Sequence, residues 1–128
     1  MENKTILDFQ GKWTAKINYE PPIVSKSFIL NIDASGNISG KETVTIEGNI
    51  YDQTINFSGN LTYDGTKVIL DLLGNNDLFG KVKVKATIDR KCPTDGDGVE
   101  HYEGYFENEF LSSGQKNTGL FNAYRHSM

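Results

Sequence analysis

Thr54-Ile55-Asn56-Phe57-Ser58-Gly59-Asn60-Leu61-Thr62-Tyr63-Asp64-Gly65-Thr66-Lys67-Val68-Ile69-Leu70-Asp71-Leu72-Leu73 contains two strands and the turn that joins them. Ile55, Phe57, Gly59, Leu61 and Tyr63 recur at every second position, the period of a strand with one buried face. Asp64-Gly65 supplies the positive φ that a tight hairpin turn requires. Lys67 to Leu73 then returns antiparallel to the first strand.

The same alternation extends in both directions. Toward the N-terminus, Ile38, Gly40, Glu42, Val44 and Ile46 share a face of Ile38 to Glu47, which Gly48-Asn49 ends. Before it, Ser27 to Asp33 turns Phe28, Leu30 and Ile32 inward and enters the hairpin turn Ala34-Ser35-Gly36-Asn37. The first strand is Trp13 to Tyr19, with Trp13, Ala15, Ile17 and Tyr19 inward, and Pro21-Pro22 stops it because proline cannot continue a ladder. Only Lys4 to Phe9 reads as a short helical turn.

Toward the C-terminus, Gly80 to Ile88 turns Val82, Val84, Ala86 and Ile88 inward and leaves Lys81, Lys83 and Lys85 as a solvated face that discourages edge pairing. Residues 89–99 read as the longest loop. His101 to Leu111 has two phases, of which Tyr102, Gly104, Phe106 and Phe110 make the better core. Ser112-Ser113-Gly114 leads to a last strand, Gly119 to His126, with Phe121, Ala123 and Arg125 on one face.

Eight short strands joined mostly by hairpins predict an all-β fold, a single eight-stranded antiparallel up-and-down β-barrel spanning residues 1–128. A sandwich would need longer crossovers than the sequence offers. Gly40, Gly59 and Gly104 suit the sharp bends of barrel strands.

A chain of 128 residues with 37% hydrophobic content has enough apolar side chains for a core without covalent staples. Cys92 is the single cysteine, so an intrachain disulfide framework is excluded. Seventeen acidic against thirteen basic residues leave a net charge of -4, which argues against a nucleic-acid partner and against an anionic membrane surface. Met1-Glu2-Asn3-Lys4 precedes no apolar run, and no stretch has the length of a membrane span, so a cytoplasmic protein is expected. A trimmed secreted chain would look the same. On a cytoplasmic chain the sequons at Asn3, Asn37, Asn56 and Asn60 carry no meaning.

Gly11-Lys12-Trp13 on the first strand and Arg125 on the last resemble the calycin superfamily of lipocalins, fatty-acid-binding proteins and avidins. There, a Gly-x-Trp indole packs under the barrel and a basic side chain from the final strand crosses it, a cation–π pairing. Gly11-Lys12-Trp13-Thr14 and Gly36-Asn37-Ile38-Ser39-Gly40 look most like avidin. The resemblance covers about thirty residues and the last strand, and it implies a barrel with a mouth. Glu42 stands where avidins carry a tyrosine, and Trp13 is the only tryptophan, so biotin is not the expected ligand.

The expected function is therefore interior binding of a small, largely apolar ligand by Tyr19, Phe28, Glu42, Val44, Phe57, Tyr63 and Phe106. The mouth should lie opposite Trp13 and Arg125, with Tyr19, Glu42, Val44, Tyr63 and Phe106 near it. Alternatives are a cyclase- or isomerase-type enzyme using Glu42 or an interior tyrosine as acid or base, and a protein-binding inhibitor acting through its N-terminal segment or the 89–99 loop. Glu42 itself has a plainer reading, at a rim or turned out by a bulge after Gly40.

No metal and no cofactor is expected. His101, Glu103, Tyr105, Glu107 and Glu109 alternate along one strand, whereas a metal needs ligands converging from different strands, so they read as a solvated acidic face. Asp95-Gly96-Asp97-Gly98 lacks the remaining ligands of an EF-hand and reads as a turn. Cys92, before Pro93, has no base that the sequence can name, so it reads as a bystander thiol, and His126 reads as exposed. Apolar residues on both faces of Lys67 to Leu73 (Ile69 and Leu73 beside Val68, Leu70 and Leu72) point to a small homo-oligomer.

Overall fold

The alternation closes on itself. In a computed structural model describing residues 5–19, 23–46, 52–92 and 99–126, eight strands form one closed antiparallel barrel in chain order. They are β1 (Gly11–Lys16), β2 (Ile23–Ile32), β3 (Asn37–Ile46), β4 (Gln53–Tyr63), β5 (Val68–Asn76), β6 (Gly80–Cys92), β7 (His101–Phe110) and β8 (Gln115–Arg125). Closure pairs β1 with β8, Trp13 opposite Arg125, and removes the free edges that an open sheet would expose. No helix among the described residues is long and apolar enough to cross a membrane.

The inward rows named from the sequence are the inward rows of the barrel, including Tyr102, Gly104, Phe106 and Phe110 on β7, and on β5 the inward row is Val68, Leu70 and Leu72. Outside, charged rows stand in register, with Lys85 between Asp71 and Glu107 and Lys83 opposite Glu109. The Asp64-Gly65 turn forms as expected. Gly65 takes φ 95°, and Asp64 accepts the backbone N–H groups of Thr66 and Lys67, each at 2.8 Å. Those donors hold the Asp64 carboxyl down to about 2.

Neighbouring backbones approach closely at Gly59 and Gly104. A Cβ on Gly59 would lie 1.8 Å from the Asp71 carbonyl oxygen, and one on Gly104 would lie 1.7 Å from that of Thr87. The backbones approach so closely there that only glycine fits.

Several boundaries differ from the sequence reading: β1 ends at Lys16 rather than Tyr19, and β5 runs to Asn76 rather than Leu73. β2 begins at Ile23 rather than Ser27, β6 runs to Cys92 through the start of the expected 89–99 loop, and β8 begins at Gln115. β2 and β6 each carry a bulge, between Ser25 and Ser27 and between Ile88 and Arg90. A bulge inserts one extra residue and reverses which face later side chains take. Strict alternation from Phe28 or from Ile88 would turn Lys26 or Arg90 inward. With the bulges, Lys26 lies outside and pairs with Asp52 at 3.2 Å, and Arg90 lies outside and bonds Glu103 at 2.9 Å. Pro21-Pro22, Gly48-Asn49, Asp95-Gly96-Asp97-Gly98 and the Asn3 sequon lie outside the described residues.

One end of the barrel is plugged. A 3₁₀ turn, Ile6–Phe9, places Phe9 under the strands, where it meets Tyr102 edge-on at 5.9 Å between ring centroids. The Trp13 indole N–H donates to the Phe9 carbonyl at 2.9 Å. The Arg125 guanidinium lies over the indole at 4.5 Å and donates to the carbonyls of Gln10, at 2.7 Å, and Asp8. Its Nε faces the Glu100 carboxylate at 3.3 Å. The space left among Phe9, Trp13, Leu30 and Leu70 is about 10 Å³, room for one water at most.

Candidate functional site

The opposite end is chemically different. β3 carries Glu42 on the inward row that the alternation predicts, opposite Phe28 on β2 and Ile55 on β4. Its carboxyl is fully buried, 0% exposed, and no bulge turns it out. The Tyr19 hydroxyl donates to Glu42 Oε1 at 2.6 Å, and the Ser25 hydroxyl donates to Oε2 at 2.7 Å. Ser25 reaches the carboxyl because the β2 bulge turns it inward.

Burial pushes the Glu42 carboxyl up to about 7, and the two hydroxyl donors offset only part of that shift. The Tyr19 phenol is raised well above its ordinary value, first by burial and then by the adjacent Glu42 charge. The group therefore changes charge near neutral pH, and can either donate or accept a hydrogen bond there.

Two further polar side chains enter the same end. Asn108 on β7 and Asn117 on β8 are register partners, both buried, with Asn117 Nδ2 donating to Asn108 Oδ1 at 2.8 Å. Asn108 is 2% exposed, yet its Nδ2 has no hydrogen-bond partner. On the inward row it stands between Phe106 and Phe110, the two rings that flank Tyr19 at 6.3 and 5.8 Å. A buried amide N–H₂ without an acceptor costs about 1–3 kcal/mol, so the position is held against a local penalty.

The residues expected to line a ligand site separate into two groups. Tyr19, Glu42, Val44 and Phe106 gather at this end, and Phe28 stacks on Phe57 at 5.1 Å just below them. Tyr63 does not join them. It ends β4 at the plugged end, its ring 6.1 Å from that of Phe9 and its hydroxyl donating to the Gly65 carbonyl at 3.1 Å. The reason is the up-and-down order: a strand that starts beside Val44 and Gln53 must finish beside Trp13.

Ser25, Asn108 and Asn117 were absent from the sequence reading. Ser25 and Asn117 lie outside the strand limits drawn from alternation, and Asn108 is a polar interruption of an otherwise apolar inward row. That interruption was the available signal. No protein-family model and no curated protein sequence matches this chain.

Proposed function

We propose that the protein binds a small, largely apolar ligand inside the Glu42 end of the barrel, with the ligand's polar group bonded to Asn108 and the Glu42–Tyr19 pair. The observation that carries this reading is the unpartnered Asn108 Nδ2, buried on the inward row of β7 between Phe106 and Phe110. A ligand carbonyl or carboxyl oxygen would accept from it and remove the penalty. The Trp13–Arg125 contact adds support, since a calycin-like barrel has that basic crossing at its closed end and its ligand at the other.

Titration of the Trp13 and tyrosine fluorescence with decanoic acid, decanamide and decane tests the proposal. Binding should favour the acid and amide over the hydrocarbon. Asn108→Leu should weaken both polar ligands while leaving circular dichroism unchanged. Equal affinity for all three, or affinity unaffected by Asn108→Leu, would overturn it.

A second reading, an isomerase- or cyclase-type enzyme, is favoured by one observation, the Glu42 carboxyl held near 7. Glu42→Gln separates the two. In an enzyme it abolishes turnover and spares binding; in a binder it weakens affinity.

We further propose a small homo-oligomer. Ile69, Thr87, Tyr105 and Leu120 stand in register across β5 to β8 as an outward row, with Leu120 65% exposed. Light scattering that finds only monomer at high concentration would refute it.

A further inference from the structure

We infer that Cys92, His101 and Glu103 form a binding site for a zinc-class divalent transition-metal ion on the outer face of the barrel, independent of the interior. The β6 bulge creates it. By reversing the phase after Ile88, the bulge turns Cys92 outward, directly opposite His101, with Arg90 opposite Glu103. His101 and Glu103 share the outward row of one strand, and Cys92 supplies the third ligand from its neighbour. One ligand atom from each lies within 4.8 Å of the others.

A tetrahedral zinc ion holds its ligands at about 2.0–2.3 Å, which places ligand atoms about 3.5 Å apart. Side-chain rotations of about 1 Å close that gap. Thiolate, imidazole and carboxylate together select zinc over calcium or magnesium, which take oxygen ligands. Three protein ligands leave the fourth position to water.

The surroundings already orient the ligands. Arg90 Nε donates to Glu103 Oε2 at 2.9 Å, and Oε1 faces His101 Nε2 at 3.9 Å. The His101 ring stacks on Tyr124 with centroids 4.3 Å apart and planes 13° from parallel. Its Nε2 meets Asn122 Oδ1 at 2.9 Å, a bond it exchanges for the metal. The Cys92 thiol is hydrogen-bonded to the Glu103 carboxylate, so a proton now lies where sulfur and oxygen would share the cation. Metal binding replaces that proton.

The test is titration of the reduced 128-residue chain with Co²⁺, followed by absorbance and then displaced with Zn²⁺. The expected result is saturable binding of one ion per chain, with a thiolate-to-cobalt charge-transfer band and the intense visible bands of four-coordination. Cys92→Ser should abolish the charge-transfer band. His101→Gln and Glu103→Gln should each weaken binding by about tenfold or more, since loss of even an outer-shell partner has that effect. Glu107→Gln, on the same strand but outside the cluster, should change nothing. Absence of the charge-transfer band, or the same spectrum and affinity in Cys92→Ser, would overturn the assignment.

Discussion

Tyr19 and Glu42 meet inside the barrel, phenol oxygen to carboxyl oxygen at 2.6 Å, although one follows the end of β1 and the other sits in the middle of β3. Both are buried, so the pair holds a titrating carboxyl in a region that otherwise packs aromatic and aliphatic side chains.

Stability should therefore fall as pH rises through the weakly acidic range. In the unfolded chain Glu42 loses its proton near the ordinary 4.5, whereas in the barrel it keeps it up to about 7. Between those values the native state binds the extra proton, so deprotonation favours unfolding. The total is about 3 kcal/mol, with little further change from this group below or above the window. Glu42→Gln should remove that slope. Urea midpoints at pH 5 and pH 8 measure it, and an unchanged slope in the variant would disprove the assignment.

Tyr19→Phe should shift the same window upward. The lost hydroxyl donor had favoured the ionised carboxyl, so the variant carboxyl holds its proton to a higher pH. A stability loss of about 1–2 kcal/mol at neutral pH should accompany the shift. NMR titration of the Glu42 side-chain carbon follows it directly.

At the plugged end, Trp13→Ala should cost about 3–5 kcal/mol, the range for a large buried aromatic side chain. Arg125→Met should cost less, about 1–3 kcal/mol, because it leaves the Gln10 and Asp8 carbonyls without their donor and removes the charge facing the Glu100 carboxylate. Trp13 is the only tryptophan, so its emission reports both changes during urea unfolding.

Gly104→Ala should prevent folding or cost several kcal/mol, since its methyl would overlap the Thr87 carbonyl. Gly65→Asn is the control. Its surroundings are open, and asparagine tolerates a positive φ, so it should cost less than about 1 kcal/mol. Thermal melts of the two variants distinguish close strand approach from turn geometry.

Period-two alternation made the number of strands and most inward rows legible in the sequence, because each strand has one face toward the core; it put Glu42 on such a row but could not show that its carboxyl is buried rather than at a rim. It failed where a bulge reverses the phase. Lys26 and Arg90 are basic residues in slots that strict alternation would turn inward, and each marks a bulge. The same two bulges turn Ser25 inward and Cys92 outward, and both residues lie beyond the strand limits that alternation draws. Tyr63 was misplaced for another reason: the direction of a strand depends on counting hairpins, not on its own residues.

Barrel closure also orders events in time. The ladders from β1 to β8 join chain neighbours, but the second edge of β1 pairs with β8, whose Arg125 guanidinium bonds Gln10, 115 positions upstream. Contacts at that separation carry the largest chain-entropy cost and form late. During synthesis β1 must therefore wait, unpaired on one side, until β8 has been made. The plug beneath the barrel is consequently a latch, set only after the rest of the sheet has assembled.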